Sequence, residues 1–234
     1  MASKKDQRLM VDNMVLGKII EYASPSMSDI ILEVGAGNGH LTMELAEKAG
    51  KVFAVERDRE LCATLRERVK GCKNVQVIEG DALKVKLPEC NKIVSNLPYS
   101  ISKKITIRFL EHGFKEAFLL YQQEFAEKLT ANPGVNNYRF ITALTQSTCE
   151  IQLLMKIPPT AFQPQPKVSS MLVKLTQKTI PEKGYVNFLQ ELFNHKNKNL
   201  KNILGEKTPT SLSDKKPVDM RPEELRLLYS EFTS

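Results

Sequence analysis

The chain has 234 residues with 34 basic against 27 acidic side chains, a formal net charge of +7 and a pI near 9.1. That length buries a sizeable core in one large domain and leaves room for a small appendage. Hydrophobic content of 41% is ordinary for a soluble protein, no apolar run approaches the roughly 20 residues a membrane span needs, and the excess of base favours a polyanionic partner. Residues 1–7 lack an apolar signal core, so a cytoplasmic protein is expected. Cys62, Cys72, Cys90 and Cys149 form no Cys-x-x-Cys pair and are accompanied by three histidines, which disfavours a zinc site or disulfide framework; free thiols and no metal are expected.

In chain order, the first two-thirds alternates short apolar strands with amphipathic helices, the pattern of a parallel sheet covered on both faces. A strand is expected at 30–34, a helix at 41–48 and a second strand at 52–56. A helix at 60–69 follows, with Leu61, Leu65 and Val69 on one face at fourfold spacing. Strands at 75–78 and 92–95, a helix at 102–111 and a strand at 117–121 continue the alternation. Segments 151–157 and 171–175, separated by the proline-rich 158–166, are expected to pair antiparallel at the sheet edge. From about residue 179 the character changes, with helical patterns at 186–193 and 223–229 flanking a polar stretch at 207–218. The expected division is a sheet domain over 1–179 and a small helical domain over 180–234.

The first strand runs into Glu33-Val34-Gly35-Ala36-Gly37-Asn38-Gly39-His40, a glycine-rich turn opening a helix. Gly35 and Gly37 let the main chain approach a ligand, and the helix start offers unpaired N–H groups. Glu56 closes the second strand about twenty residues on, where a carboxylate can accept both ribose hydroxyls. The third strand leads to Gly80-Asp81-Ala82, where Asp81 can accept from an adenine amino group while the main chain at Ala82 approaches the ring. The arrangement fits NAD as well as S-adenosylmethionine, although Gly-Ala-Gly-Asn-Gly-His departs from the Gly-x-Gly-x-x-Gly of NAD-binding turns. Each acid alone also reads as a helix cap or a solvated strand end. Their recurrence at successive strand ends favours a ligand site.

After Ile93-Val94 and Ser95 comes Asn96-Leu97-Pro98-Tyr99, which has the makings of a device for methylating an amine on a flat base. An adenine amino nitrogen is a poor nucleophile because its lone pair is delocalised into the ring, and two acceptors gripping its hydrogens would pull it toward tetrahedral geometry. The Asn96 side chain can supply one acceptor and the Leu97 carbonyl the other, with Pro98 holding Leu97 extended. Tyr99 would stack on the base. The alternative is a strand running into a proline-containing turn.

Together these residues resemble the small-subunit rRNA adenine N6,N6-dimethyltransferase family, the KsgA/Dim type, in its archaeal form, over roughly residues 7–204. Gln7-Arg8-Leu9-Met10 stands where that family has Gln-x-Phe-Leu near the cofactor, Glu33 to Gly37 with Leu41-Thr42 matches its cofactor loop, and Asn96 to Ser102 matches its catalytic loop. Tyr138-Arg139 after Lys128-Leu129 and Gly134, and Pro158-Pro159-Thr160-Ala161-Phe162 with Pro164, Pro166-Lys167-Val168 and Ser170, match further segments. The resemblance implies a Rossmann-like S-adenosylmethionine-dependent methyltransferase sheet in an α/β fold, with a small C-terminal helical domain. It implies a cofactor cradle of Gln7, Arg8, Met10, Gly35, Gly37, Glu56, Asp81, Ala82 and Asn96, and a base pocket of Asn96, Leu97, Pro98, Tyr99 and Phe162. The implied reaction is dimethylation of two adjacent adenosines in the 3'-terminal hairpin of small-subunit rRNA, in a pre-ribosomal small subunit. A monomer is expected. Two departures stand out: Arg8-Leu9-Met10 replaces the usual aromatic-containing segment, which bears on the contacts of Arg8 and Met10, and the C-terminal part is short for the family, which bears on its docking surface.

The run from His195 to Asn202 carries Lys196, Lys198 and Lys201 and no acid, and it resembles the basic helix-turn that begins the family's C-terminal domain. Phosphate contact is expected there, with a solvated helix face as the alternative. Lys103, Lys104, Arg139 and Lys167 fall near the substrate loops and are candidates for guiding RNA, though each alone also reads as plain surface. Pro133, Gly134, Asn136 and Asn137 suggest a mobile loop beside the active site. Two other classes compete. Large-subunit rRNA methyltransferases of the antibiotic-resistance type use a similar loop with Ile in place of Leu97, and a non-catalytic nucleic-acid-binding assembly or transcription factor could share the scaffold; intact Asn96 and Tyr99 argue against the latter.

Overall fold

The apolar runs become a seven-stranded sheet in the computed structural model, which describes residues 8–233. The first elements are β1 (Leu9–Met10), α1 (Asn13–Ala23), β2 (Ile30–Val34), α2 (His40–Ala46), β3 (Lys51–Glu56), α3 (Arg59–Arg68), β4 (Val75–Glu79), β5 (Lys92–Asn96), α4 (Ser102–His112) and β6 (Glu116–Gln122). They are followed by α5 (Gln123–Leu129), α6 (Phe140–Thr148), β7 (Cys149–Ile157), β8 (Phe162–Gln163) and β9 (Ser170–Gln177). The strand order is β4-β3-β2-β5-β6-β9-β7, with the first five parallel and β9 antiparallel to β6. The two segments expected as an edge pair, β7 and β9, are neighbours at that edge. β1 and β8 form a separate two-stranded pair.

Central strands covered on both faces are apolar along their length rather than alternating, and β2 and β3 bury every residue after the first. Helix α1 supplies cover through Leu16, Ile19, Ile20 and Ala23, spaced to share one face, and Asp12 caps its start by accepting from Met14 N and Val15 N. Full burial of each such aliphatic side chain contributes about 1.5–3 kcal/mol. Strand order reverses at β2, from which the chain runs outward to β3 and β4 before returning to β5 on the other side. That reversal opens a crevice at the carboxyl ends of the strands.

The opposite, amino ends are pinned by a buried ion pair. Lys92 Nζ lies 2.9 Å from Asp29 and also donates to the Ala23 and Ser24 carbonyls, while Asn91 Nδ2 donates to the other Asp29 oxygen at 2.7 Å. Burial alone would raise the Asp29 carboxyl, but the bonds from Lys92, Asn91 and Ser26 hold it down at about 2. The pair is thus fully satisfied, the condition under which buried charge is tolerated.

The chain divides into two compact units, the first comprising the chain up to Ala126 with Gln152–Gln177, the second Glu127–Ile151 with the chain from Lys178 on. This differs from the expected boundary at 179–180, because residues 127–151 belong with the tail. Helix α6 buries Phe140 to Thr145 on all sides and so needs cover on more than one face. It finds that cover in α7 (Lys183–Asn194) and α9 (Pro222–Thr233), with the short α8 (Lys201–Leu204) between them. Tyr138 donates to the Met220 carbonyl at 3.0 Å and its ring packs 5.8 Å from Phe193. Tyr185, Phe188, Tyr229 and Phe232 form an aromatic cluster with centroids 5.3–5.4 Å apart. The segment expected as a mobile loop is tied down within this unit, Gly134 N donating to Val218 O at 2.8 Å.

Candidate active site

The crevice at the strand carboxyl ends is a cleft enclosing about 810 Å³ of empty space, part of it open solvent. The β2–α2 loop contributes Gly35 and Gly37, the end of β3 Val55 and Glu56, the loop after β4 Gly80, Asp81 and Ala82, and the end of β5 Asn96 to Tyr99. Arg8 and Leu9 close it from the N-terminal side. A smaller adjoining cavity shares Arg8, Gly35, Gly37 and Asn96 and adds Met10, Glu33 and His40.

Glycine is required at two positions of the loop. Gly35 has φ +75° and a Cβ there would stand 3.2 Å from Pro98 Cδ; Gly37 has φ +59° and a Cβ there would stand 2.8 Å from Leu9 Cδ2. Both combine a left-handed backbone with close approach of a neighbouring loop. Gly37 N donates to Glu56 Oε2 at 2.9 Å, and Glu56 Oε1 accepts from Arg57 N and Asp58 N at 2.7 and 2.8 Å. Three of the four lone-pair sites of Glu56 are therefore taken by main chain, which fixes the carboxylate and leaves one for a ligand hydroxyl rather than the two expected for a ribose diol. Asp81 Oδ1 accepts from Leu83 N at 2.9 Å, so it serves as a turn cap and cleft wall at once.

The Asn96 amide is oriented by a bond that sequence reasoning missed: its Nδ2 donates to the Arg8 carbonyl at 2.9 Å. Oδ1 is thereby the atom left to accept. Tyr99 is held through its hydroxyl, 2.5 Å from the Oγ of buried Ser170, so its ring cannot swing freely. Leu97 is 2% exposed and lines the cleft, its side chain anchoring the loop.

Of the residues expected in the cofactor cradle, Arg8, Gly35, Gly37, Glu56, Asp81, Ala82 and Asn96 line the main cleft and Met10 the smaller cavity; Gln7 lies outside the described residues. Phe162, expected in the base pocket, lies elsewhere in this structure. It lines neither cavity but pairs with Met10 across β1 and β8, 3% exposed, inside the core with Leu16, Ile19 and Ile20. An aromatic side chain buried there contributes to core packing. Glu33 opens the glycine motif. It is buried beside the cleft, accepts from Thr42 Oγ1 at 2.6 Å, and burial pushes its carboxyl up to about 8, opposed by that bond and aided by the charge of Glu56. Val55, Leu61 and Ile101 supply an apolar lining that no motif had singled out.

Among the basic candidates, Lys103, Lys104 and Lys167 are exposed in the first unit, on α4 and on the loop before β9. Arg139, Lys196, Lys198 and Lys201 fall in the second unit. Lys201 is paired with Asp214 at 2.7 Å. Partial burial and the charge of Arg139 depress the Lys196 ammonium, so these two cations act on each other. Among the described residues no group of three or more His, Cys, Asp or Glu side chains is placed to hold a metal, and no helix is long and apolar enough to cross a membrane.

Sheet order, glycine loop and strand-end acids define the class as a Rossmann-like methyltransferase. The cleft fits S-adenosylmethionine, with two glycines at which a Cβ would crowd the cleft-wall residues Pro98 and Leu9, acids at two strand ends and apolar walls for a purine. A model of the ribosomal RNA adenine dimethylase family matches residues 2–221, and the chain belongs to that family. A probable ribosomal RNA small subunit methyltransferase A of Methanosarcina barkeri is 38% identical over 240 residues, covering 94% of this chain and 84% of the relative. One of the same description from Thermococcus onnurineus is 44% identical over 190 residues, covering 80% and 69%. The crystal structure of a dimethyladenosine transferase from Plasmodium falciparum superposes with a TM-score of 0.85 at 28% identity, covering 96% of this chain and 97% of that one.

Proposed function

We propose that the chain dimethylates the N6 amines of two adjacent adenosines in the 3'-terminal hairpin of small-subunit rRNA, acting on a pre-ribosomal small subunit as a cytoplasmic monomer. The observation that carries this reading is that the Asn96–Tyr99 loop and the glycine loop with Glu56 and Asp81 line one cleft. In this reading Gly35 and Gly37 admit the cofactor's approach, Glu56 receives a ribose hydroxyl, Asp81 and Ala82 recognise its adenine, and Arg8 and Met10 bound its other end. Gln7 joins the cradle on the strength of the sequence resemblance. When bound, S-adenosylmethionine supplies an electrophilic methyl group on a sulfonium.

The protein's own task is alignment, because that methyl group needs a directed lone pair more than a strong base. Asn96 Oδ1 and the Leu97 carbonyl take the two amine hydrogens, drawing N6 out of conjugation and aiming its lone pair into the cleft. Tyr99 replaces the stacking lost when the base leaves its helix, worth about 1–3 kcal/mol. Its ring face also favours the positive charge that arrives on N6. The cationic N6 left by each transfer loses one proton to water, so that after the first transfer one N–H remains, and a single acceptor suffices to orient the second. Lys103, Lys104 and Lys167 serve the RNA backbone on the first unit, and Arg139, Lys196, Lys198 and Lys201 on the second.

Transfer of radioactive methyl from S-adenosylmethionine to small subunits lacking the modification, against naked rRNA, large subunits and DNA, tests the reading. Label confined to the small-subunit rRNA is expected. Label only in large subunits would overturn the substrate, and no label anywhere would favour a binding protein.

A further inference from the structure

Arg8 lines the cofactor cleft, and its side chain also makes a contact that the transfer step does not require. Its guanidinium lies over the Tyr99 ring, 5.5 Å from the centroid, and its Nη1 donates to the Pro164 carbonyl at 3.3 Å. Its Nε is buried without a hydrogen-bond partner among the described residues. Its main-chain carbonyl meanwhile receives the Asn96 amide, so the backbone belongs to the machinery while the side chain covers the ring proposed to take the base. A buried guanidinium N–H left unpaired is an arrangement of low stability, held by a cation–π contact worth no more than the stacking of a base that would replace it.

We propose that Arg8 is a specificity-determining residue: its guanidinium is a displaceable occupant of the Tyr99 seat, which the target adenine must replace. The inference rests on the reading that Tyr99 stacks on the substrate base. A base stacked on Tyr99 and a guanidinium on the same ring compete for one π face, and the base wins only when it brings further contacts. A docked RNA brings them, through the Asn96 and Leu97 acceptors and through phosphates that the displaced guanidinium can pair with bidentately. A free nucleoside or a short unstructured strand brings few of them. The contact therefore penalises weakly held adenines more than the docked target, which is discrimination by an unfavourable element rather than by added attraction.

The test uses the full chain as R8A and R8K, with Y99A beside them. Both Arg8 substitutions retain the main-chain carbonyl that orients Asn96. Steady-state methyl transfer would be measured on unmodified small subunits and on a short single-stranded adenosine-containing oligonucleotide, with calorimetric binding of S-adenosylhomocysteine as a readout independent of turnover. R8A is expected to lower KM for the oligonucleotide by about 2- to 30-fold, the range a cation–π contact of this kind spans, to change kcat less than KM, and to narrow the preference for the small subunit. R8K, which still has a cation but no planar face, should fall between. An unchanged or raised KM on the oligonucleotide in R8A would overturn the proposal, as would a KM change matched by equal loss of S-adenosylhomocysteine binding, which marks the side chain as part of the cofactor cradle or the fold alone. If Y99A alone leaves transfer at the normal rate, the stacking role of Tyr99 fails instead, whatever R8A does.

Discussion

Asn96 is poised by a neighbour's backbone: with Nδ2 committed to the Arg8 carbonyl, Oδ1 is presented as an acceptor without a rotamer search. N96A removes one of two groups that aim the amine, and by comparison with loss of one preorganised hydrogen-bonding group in other active sites it should lower kcat by about 10²–10³. S-adenosylhomocysteine affinity and melting temperature should change far less, and a variant that fails to fold would contradict this. Glu33 makes a prediction of opposite character. Its native carboxyl, pushed up to about 8, holds a proton that the unfolded chain releases near its ordinary 4.5, so stability falls as pH rises between those values. E33Q keeps the shape and never ionises. Its stability in urea titrations should therefore gain on the parent chain from pH 5 to pH 8, whereas parallel pH profiles would show that Glu33 is already ionised in the fold.

At the scale of elements, the β2–α2 loop works because Gly37 lets Leu9 and the Glu56 carboxylate close in from opposite sides. G37A forces an L-residue to φ +59° and pushes a Cβ to 2.8 Å from Leu9 Cδ2. The backbone strain alone costs about 1–2 kcal/mol, and S-adenosylhomocysteine binding should weaken as well; calorimetry showing wild-type affinity would remove the loop from the cofactor site. This loop was legible in the sequence because glycines and strand-end acids announce themselves within a few residues of one another, and so were β2 to β6, whose apolar runs are those of strands buried on both faces except at the half-buried edge strand β4. Helix α1 carries a readable signal, Asp12 followed by Leu16, Ile19, Ile20 and Ala23, but it stands before the first obvious strand, outside the strand–helix alternation. Helix α6 was hidden for a chemical reason. Its Thr142, Thr145 and Thr148 are poor helix formers, and Thr145 and Thr148 bond back to the carbonyls four residues earlier at 2.8 and 2.7 Å. No local pattern announces β1 and β8, two residues each, or the burial of Phe162 between them, because their pairing joins segments about 150 residues apart.

For the whole molecule, the notable outcome is that Arg139 and Lys196 stand within the same unit and repel one another, an arrangement that an anion relieves. If each meets an RNA phosphate, the double variant R139A/K196A should bind small subunits more weakly and reduce the slope of log affinity against log salt by about 2. An unchanged slope would assign the pair to bare surface. The central claim, however, concerns one reaction at one cleft, and it is tested most directly by nucleoside mass spectrometry of small-subunit rRNA after incubation of unmodified subunits with S-adenosylmethionine and either the parent chain or N96A. The account predicts N6,N6-dimethyladenosine at the two adjacent adenosines of the 3'-terminal hairpin with the parent chain, and almost none in the same time with N96A. Methylation at another atom or another site, or equal dimethylation by N96A, would contradict it.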